Sequence, residues 1–246
     1  MLAFALALLY PLSGLFTPVG PWHWNGGLPG STRDAVLTSL NLTGVALLWV
    51  VLIGTPVAWY LARHAGPLRL AWEAVILISV LLPPLALGIL LSLAYGPHAY
   101  LGDLLLRLGL ITSNSALAFV ATQIYVSIGY YILAARAAFN AVPHELEQIA
   151  ALLGLNPWRV FWRVTFPLSR LGLAAALSIA WVRALGEFGA IIVTAYYPSG
   201  MPVQIWINLE DHGLPAVMPL LVIFLLAALP LPWLVHILAR RGPQYA

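Results

Sequence analysis

The chain contains no cysteine and no lysine, and only 8% of its 246 residues are charged. Without cysteine there is no disulfide framework, no thiolate metal site and no cysteine nucleophile. Without lysine there is no Walker A loop, whose Gly-Lys pair grips the β and γ phosphates, and no lysine Schiff base for a pyridoxal cofactor. Any ATP-driven work would have to be done by another polypeptide. The histidines are no more suggestive: His23, His64, His98, His144 and His236 are dispersed, with no spacing suited to ligation. No Ser-His-Asp or paired-carboxylate arrangement emerges either. We expect no catalytic residue, no metal and no cofactor.

What the chain has instead is apolar surface, with 62% hydrophobic residues and a mean hydropathy of +0.93. These values lie far from those of a soluble globular domain and predict an all-α, polytopic membrane protein. The polar stretches between apolar runs are too short to fold alone, so residues 1–246 are expected to form a single membrane domain. The net charge of +3 does not indicate nucleic acid, because the arginines are scattered between apolar runs rather than gathered into a patch.

A spanning helix needs about 20 mostly apolar residues. Six runs qualify: 2–19, 35–62, 70–95, 115–138, 171–196 and 216–239. The first has two readings, a retained helix or a signal peptide, since it starts at Met1, lacks a basic flank and contains Pro11. Arg63 and Arg69 follow the second run, Arg136, Arg159, Arg163 and Arg170 surround the connection after the fourth, and Arg240 and Arg241 follow the last. Only Arg33 and Arg107 fall on the other face. The positive-inside rule then places the even connections and both termini in the cytoplasm.

Proline and glycine punctuate several spans, at Thr55-Pro56, at Pro83-Pro84 with Gly88, and at Gly186 with Gly189. Each site allows simple helix packing or a broken helix beside a pathway.

The connection over 143–168 departs from the apolar pattern. Pro143 suits a first helical turn, and Glu145 and Glu147 favour the positive end of the helix dipole. Leu146, Ile149, Ala150 and Leu153 recur at i, i+3, i+4 and i+7, with Glu147, Gln148 and Ala151 off that stripe. Gly154 stands where a C′ residue of positive φ belongs. Asn156 caps a second helix with Pro157 at its first position, carrying Arg159 and Arg163, and Pro167 is expected to interrupt it as the fifth span begins. The hairpin is either an interfacial element with Trp158 and Trp162 at the headgroups, or a helix presented to a groove in a partner.

This connection resembles the EAA loop of the inner-membrane permeases of binding-protein-dependent ABC importers. That pattern is Glu-Ala-Ala, three residues, Gly, nine residues, then Ile-x-Leu-Pro. Gly154 takes the glycine position, Val164, Phe166 and Pro167 those of Ile, Leu and Pro, and Gln148, Ile149 and Ala150 those of the triplet, so glutamine replaces the leading glutamate. The likeness extends over "LTSLNLTGVALLWVVLIGTPVAWYLAR", "LLPPLALGILLSLAYGP", "ARAAFNAVP" and "RALGEFGAIIV". It implies a coupling helix docked in an ATPase cleft, with Leu146, Ile149, Ala150 and Leu153 as anchors. It also implies a complex of two permease copies, most simply a homodimer, with two ATPase subunits and an external substrate-binding protein, in the cell inner membrane.

Arg183 and Glu187 lie four apart within the fifth run, on one helical face. Such a pair is a neutralised structural couple or part of a pathway. "ALGEFGA" resembles permeases for tungstate, molybdate and sulfate, which implies an oxyanion substrate and weights the second reading. Pro83, Pro84 and Gln123 are further pathway or gate candidates, with Gln123 also suited to an interhelical hydrogen bond. Glu210, Asp211 and His212 are expected in a solvated external loop. The function expected is thus a non-enzymatic permease subunit. Alternatives are a permease of the same superfamily for thiamine, ferric iron, a polyamine or phosphate, or else a channel or membrane-embedded enzyme.

Overall fold

Proline and glycine decide where the apolar runs stop being straight helices. The computed structural model describes residues 9–16 and 30–240, and among these all regular structure is helical. A 3₁₀ turn covers Tyr10–Phe16; residues 2–8 and 17–19 of the first apolar run lie outside the described residues. Helix α1 (Gly30–Arg63) is the second run, 34 residues long, and Pro56 does not break it. The third run becomes α2 (Pro67–Leu81) and α3 (Pro84–Tyr95), followed by a short α4 (Tyr100–Arg107). Helix α5 (Ala116–Asn140) is the fourth run. Helix α6 (His144–Leu152) stands in the connection, and α7 (Pro157–Leu185) is the fifth span. After a one-turn α8 (Ile191–Thr194) come α9 (Met201–His212), α10 (Leu214–Ala228) and α11 (Pro230–Arg240).

Among the described residues, four stretches are long and apolar enough to cross a membrane: α1, α5, α7, and Leu214–Leu238 across α10 and α11. The bent pair α2 and α3 makes a fifth.

Run 70–95 follows the broken of its two readings, because α2 and α3 meet at 113°, while other sequence expectations need correction. Pro83 forces Leu82 into extended backbone, with φ −64° and ψ 128°, and neither proline can donate to a helical ladder. Pro167 does not interrupt its helix. A π turn at Phe161–Thr165, in which the Phe166 N–H reaches the Phe161 carbonyl, takes up the clash of the proline ring, and α7 continues to Leu185. The run 171–196 is therefore helical from well before its expected start but ends at Leu185, with Gly186 as its cap. Finally, Glu210, Asp211 and His212 form the exposed end of α9 rather than a loop.

The core lies where α1, α5 and α7 pack on one another. Ala58 of α1, Ala135 of α5 and Ala176 and Ala180 of α7 are fully buried, with Leu61, Phe139 and Leu173 filling between them. Small residues at the crossings let the backbones approach, which is how helices associate where lipid removes the hydrophobic drive. The outer face of α1 carries exposed Leu48, Trp49, Leu52 and Ile53, as a lipid-facing surface requires.

Candidate functional site

Two clusters are built around interruptions in this helical frame, one at the end of the bundle that carries α6 and one inside it.

At the α6 end the sequence stops the membrane helices with polar residues and starts a short one. Pro143 precedes α6 with extended backbone, and Glu145 and Glu147 fall in its first turn. Past its end, Gly154 adopts φ +86°, the Gly154 N–H donates to the Ala151 carbonyl at 2.9 Å, and the Leu155 N–H to the Ala150 carbonyl at 3.2 Å. A residue with a Cβ is strained there, which is why glycine ends this helix. The Asn156 side chain then accepts from the Arg159 N–H at 2.9 Å, capping α7.

Helix α6 does not hang loose from these turns. Arg63, the last residue of α1, donates from Nε and Nη2 to Glu147 Oε2 and Oε1 at 2.8 and 2.7 Å, and from Nη2 to the Phe139 carbonyl at 3.0 Å. Thr165 Oγ1 donates to Glu147 Oε1 at 2.6 Å. One carboxylate thus ties α6 to the end of α1 and the first turns of α7, and Arg63 extends the tie to the end of α5. Burial alone would raise the Glu147 carboxyl, but the hydrogen bonds from Arg63 and Thr165, with the Arg63 charge, outweigh it and hold the carboxyl below its ordinary value. Beside this clasp, Glu73 accepts from Arg69 at 2.6 Å and pairs with Arg136 at 2.8 Å, joining α2 to α5. Three of the arginines that the sequence offers as topological signals therefore also hold helix ends together.

The opposite side of α6 is open. Leu146, Ile149, Leu152 and Leu153 are exposed, the last two by 87% and 79%, and so are Glu145 and Gln148. Ala150, expected on the same stripe, instead faces the bundle and is buried. Arg159 and Arg163 lie exposed on the first turns of α7, and Pro167 is exposed beyond them. Sequence reasoning singled out Glu147 but not its partners Arg63 and Thr165. Only Glu147's place off the apolar stripe signalled that it faced elsewhere.

The second cluster lies at the end of α7. The helix stops at Gly186, and Glu187, only 1% exposed, turns back so that Oε1 accepts from the Ala190 N–H at 2.7 Å while Oε2 accepts from Arg183. Arg183 keeps a quarter of its side chain exposed and sits 5.6 Å from the centre of the Tyr130 ring, a cation-π distance. It borders an open groove of about 490 Å³ with Tyr130, Ser178, Val182, Gly186 and Pro232.

Two of the sites that proline and glycine mark in the sequence, Pro83-Pro84 with Gly88 and Gly186 with Gly189, meet here. A Cβ on Gly88 would lie 2.8 Å from the Ala190 Cα and carbonyl oxygen, and one on Gly189 would lie 3.0 Å from Pro84 Cβ. The start of α3 therefore packs backbone to backbone on the segment after α7. Pro83 and Pro84 form the bend itself. Gln123 is buried close by, its Nε2 donating to Thr43 Oγ1 and to the Ala184 carbonyl, each at 2.9 Å. It acts as an interhelical bridge between α1, α5 and α7. Among the described residues no group of three or more His, Asp or Glu side chains is placed to hold a metal ion.

Comparison with known proteins agrees with this architecture. Residues 54–242 match the model of the binding-protein-dependent transport system inner membrane component. A probable molybdenum ABC transporter permease protein of Haloferax volcanii is 35% identical over 214 residues, covering 85% of this chain and 78% of that one. A molybdate/tungstate transport system permease protein of Thermococcus kodakarensis is 31% identical over 210 residues, covering 82% and 78%. A sulfate transport system permease protein of Synechocystis is 24% identical over 249 residues, covering 98% and 87%. Among solved structures, a bacterial ABC transporter involved in alginate import superposes with a TM-score of 0.76 at 18% identity, covering 99% and 93%. The MetNI methionine ABC transporter gives 0.68 at 17%, covering 85% and 94%, and at such identities the likeness concerns the fold. The chain belongs to the family of binding-protein-dependent transport system inner membrane components, the multi-pass permeases of ABC importers.

Proposed function

We propose that residues 1–246 form one transmembrane domain that lines the translocation pathway for a tetrahedral oxyanion (molybdate, tungstate or sulfate), with α6 as the helix that couples it to a separate ATPase. The observation that carries the coupling reading is the course of α7. It is one continuous helix from Pro157 to Leu185, and it spans about 27 Å at the helical rise from the Glu147–Thr165 contact to the Arg183–Glu187 pair at its far end. A displacement of α6 is thereby passed to the interior of the bundle through one rigid element.

In this reading α6 lies in a cleft of the ATPase with Leu146, Ile149 and Leu153 as anchors, a helix-in-groove contact. Glu145 and Gln148 border the contact, while Glu147 and Ala150 serve the permease side. Arg159 and Arg163 stiffen the start of α7, Gly154 sets the angle between the two helices, and Pro167 sits beside the π turn. Closure of two nucleotide-bound ATPase subunits would move two permease copies, a homodimer in the simplest arrangement. An external binding protein would deliver the anion to the opposite face. The arginine distribution supports placing the α6 end and both termini in the cytoplasm.

The oxyanion assignment rests on the molybdenum and molybdate/tungstate permeases among the relatives and on Arg183, a cation exposed to a groove beside the helix break. Pro83, Pro84 and Glu187 shape the same break, and Gln123 braces it. Co-purification of the intact chain with a Walker-A-bearing ATPase, followed by uptake of molybdate, tungstate and sulfate with the cognate binding protein in proteoliposomes, tests the reading. Failure to retain an ATPase with the wild-type loop would overturn it.

A further inference from the structure

A large groove lies away from both clusters, between α1 and the first half of α7. It encloses about 700 Å³ and is apolar, with Leu52, Trp59, Phe161, Leu173 and Leu177 along its walls and Arg170 beside them. Its depth identifies an occupant. Glu147 holds Arg63 and Thr165 at one level, and from there α1 rises about 18 Å to Val51. That is close to the ~15 Å thickness of one leaflet of hydrocarbon. The mouth of the groove is aromatic, with Trp158 and Trp162 packed at 5.6 Å and Trp162 and Phe166 at 5.1 Å, as side chains at a headgroup boundary are.

Charge at the mouth points the same way. Arg170 is exposed and makes no ion pair or hydrogen bond among the described residues, and exposed Arg159 and Arg163 stand on the same helix. Of the acids at this end, Glu147 is taken by Arg63 and Glu73 by Arg69 and Arg136, which leaves Glu145 against three arginines. From its place inside α7, Arg170 can extend its guanidinium back toward the headgroup level. A soluble subunit has no access to the deep half of the groove.

We propose that this groove is a binding site for one anionic phospholipid, an acyl chain lying between α1 and α7 and the phosphate paired with Arg170. The lipid would fill the space beside the π turn and so bear on the segment through which α6 and α7 are joined.

The test uses the full-length chain in nanodiscs containing phosphatidylglycerol or phosphatidylcholine with a photoactivatable group midway along the acyl chain, and maps adducts by peptide mass spectrometry. We expect adducts on the α1 and α7 groove peptides, with phosphatidylglycerol favoured about fivefold, the preference one arginine near a membrane surface supplies. Arg170→Gln should keep the adducts but bring the preference to about one, and Ala174→Trp, which fills the groove, should remove them while lipid-facing Leu48 peptides stay labelled. Equal labelling of the wild-type groove by both headgroups would mean bulk lipid only and would overturn the proposal. So would an unlabelled groove together with a disulfide between two copies of an Ala174→Cys variant, since the chain has no other cysteine and a second copy would then occupy the face.

Discussion

Arg63 and Glu147, 84 residues apart in sequence, meet through two parallel hydrogen bonds of 2.7 and 2.8 Å at the point where α1, α5, α6 and α7 converge. The fork-to-carboxylate geometry fixes direction as well as distance. Thr165 occupies a further lone pair of the same carboxylate. Helix α6, too short to be stable alone, is thereby made part of the bundle rather than an appendage to it.

Removing one partner should therefore cost more than removing both. Glu147→Leu leaves a nearly buried guanidinium without its carboxylate, and we expect a loss of about 3 kcal/mol. The double variant Arg63→Met with Glu147→Leu should recover much of that stability, because two apolar side chains leave no charge unpaired. Thermal unfolding of the purified permease in detergent measures the cycle. Equal destabilisation by the single and double variants would show that the pair is not a coupled unit.

The same carboxylate predicts a pH dependence. Its folded value is depressed below the ordinary 4.5, so its contribution is fully present above that ordinary value and is lost as pH falls through the lowered one. The stability difference between wild type and Glu147→Gln should thus be flat at neutral pH and shrink as the pH falls below the ordinary 4.5 and through the lowered value. A difference that grows on acidification would reverse the sign and refute the assignment.

Gly154 supplies the turn between α6 and α7 at φ +86°, with open space where a Cβ would stand. Any penalty for substitution is then conformational rather than steric. Valine should cost about 1–2 kcal/mol and re-aim α6, whereas asparagine, which tolerates this region, should cost little. In proteoliposomes we expect Gly154→Val complexes that assemble and hydrolyse ATP without uptake, and near-normal uptake for Gly154→Asn. Normal uptake by the valine variant would remove the hinge from the mechanism.

Gly88 is the contrasting case, where space decides. A methyl there meets backbone atoms of Ala190 at 2.8 Å, which cannot swing aside as a side chain end can. Gly88→Ala should destabilise by about 1–3 kcal/mol and depress uptake. A thermal unfolding curve superimposable on wild type would show that the crossing is looser than described.

Much of this arrangement was legible in the sequence because it follows from local rules. Pro143, Gly154, Asn156 and Pro157 mark helix ends by their own backbone chemistry, and they lie where those rules put them. Pro83-Pro84 announced a break but not its angle, because 113° is set by α3 packing on Ala190, a contact remote in sequence. Pro167 misled for the opposite reason. Its local rule was correct, but a π turn upstream absorbed the clash. The clasp was invisible, since Arg63 and Thr165 carry no local mark of the residue they will meet. Ala150 fits the apolar period of α6 yet faces the bundle, because alanine is small enough to lie against it.

That difference between the two sides of α6 yields the last prediction. Ile149 and Leu153 are 53% and 79% exposed, so glutamate at either position should change the stability of the isolated permease by no more than about 0.5 kcal/mol. If they anchor the helix in an ATPase groove, each buries an apolar side chain on assembly, and a charge placed there should cost at least ~2 kcal/mol of binding, about a thirtyfold loss of affinity. Ala150→Glu should behave in the reverse order, disturbing the permease itself, because its Cβ faces the buried side of the helix. Unfolding curves and ATPase capture on the same three variants separate the cases. Undiminished capture by both Ile149→Glu and Leu153→Glu would mean that the exposed face of α6 is not the docking surface, whatever the clasp does beneath it.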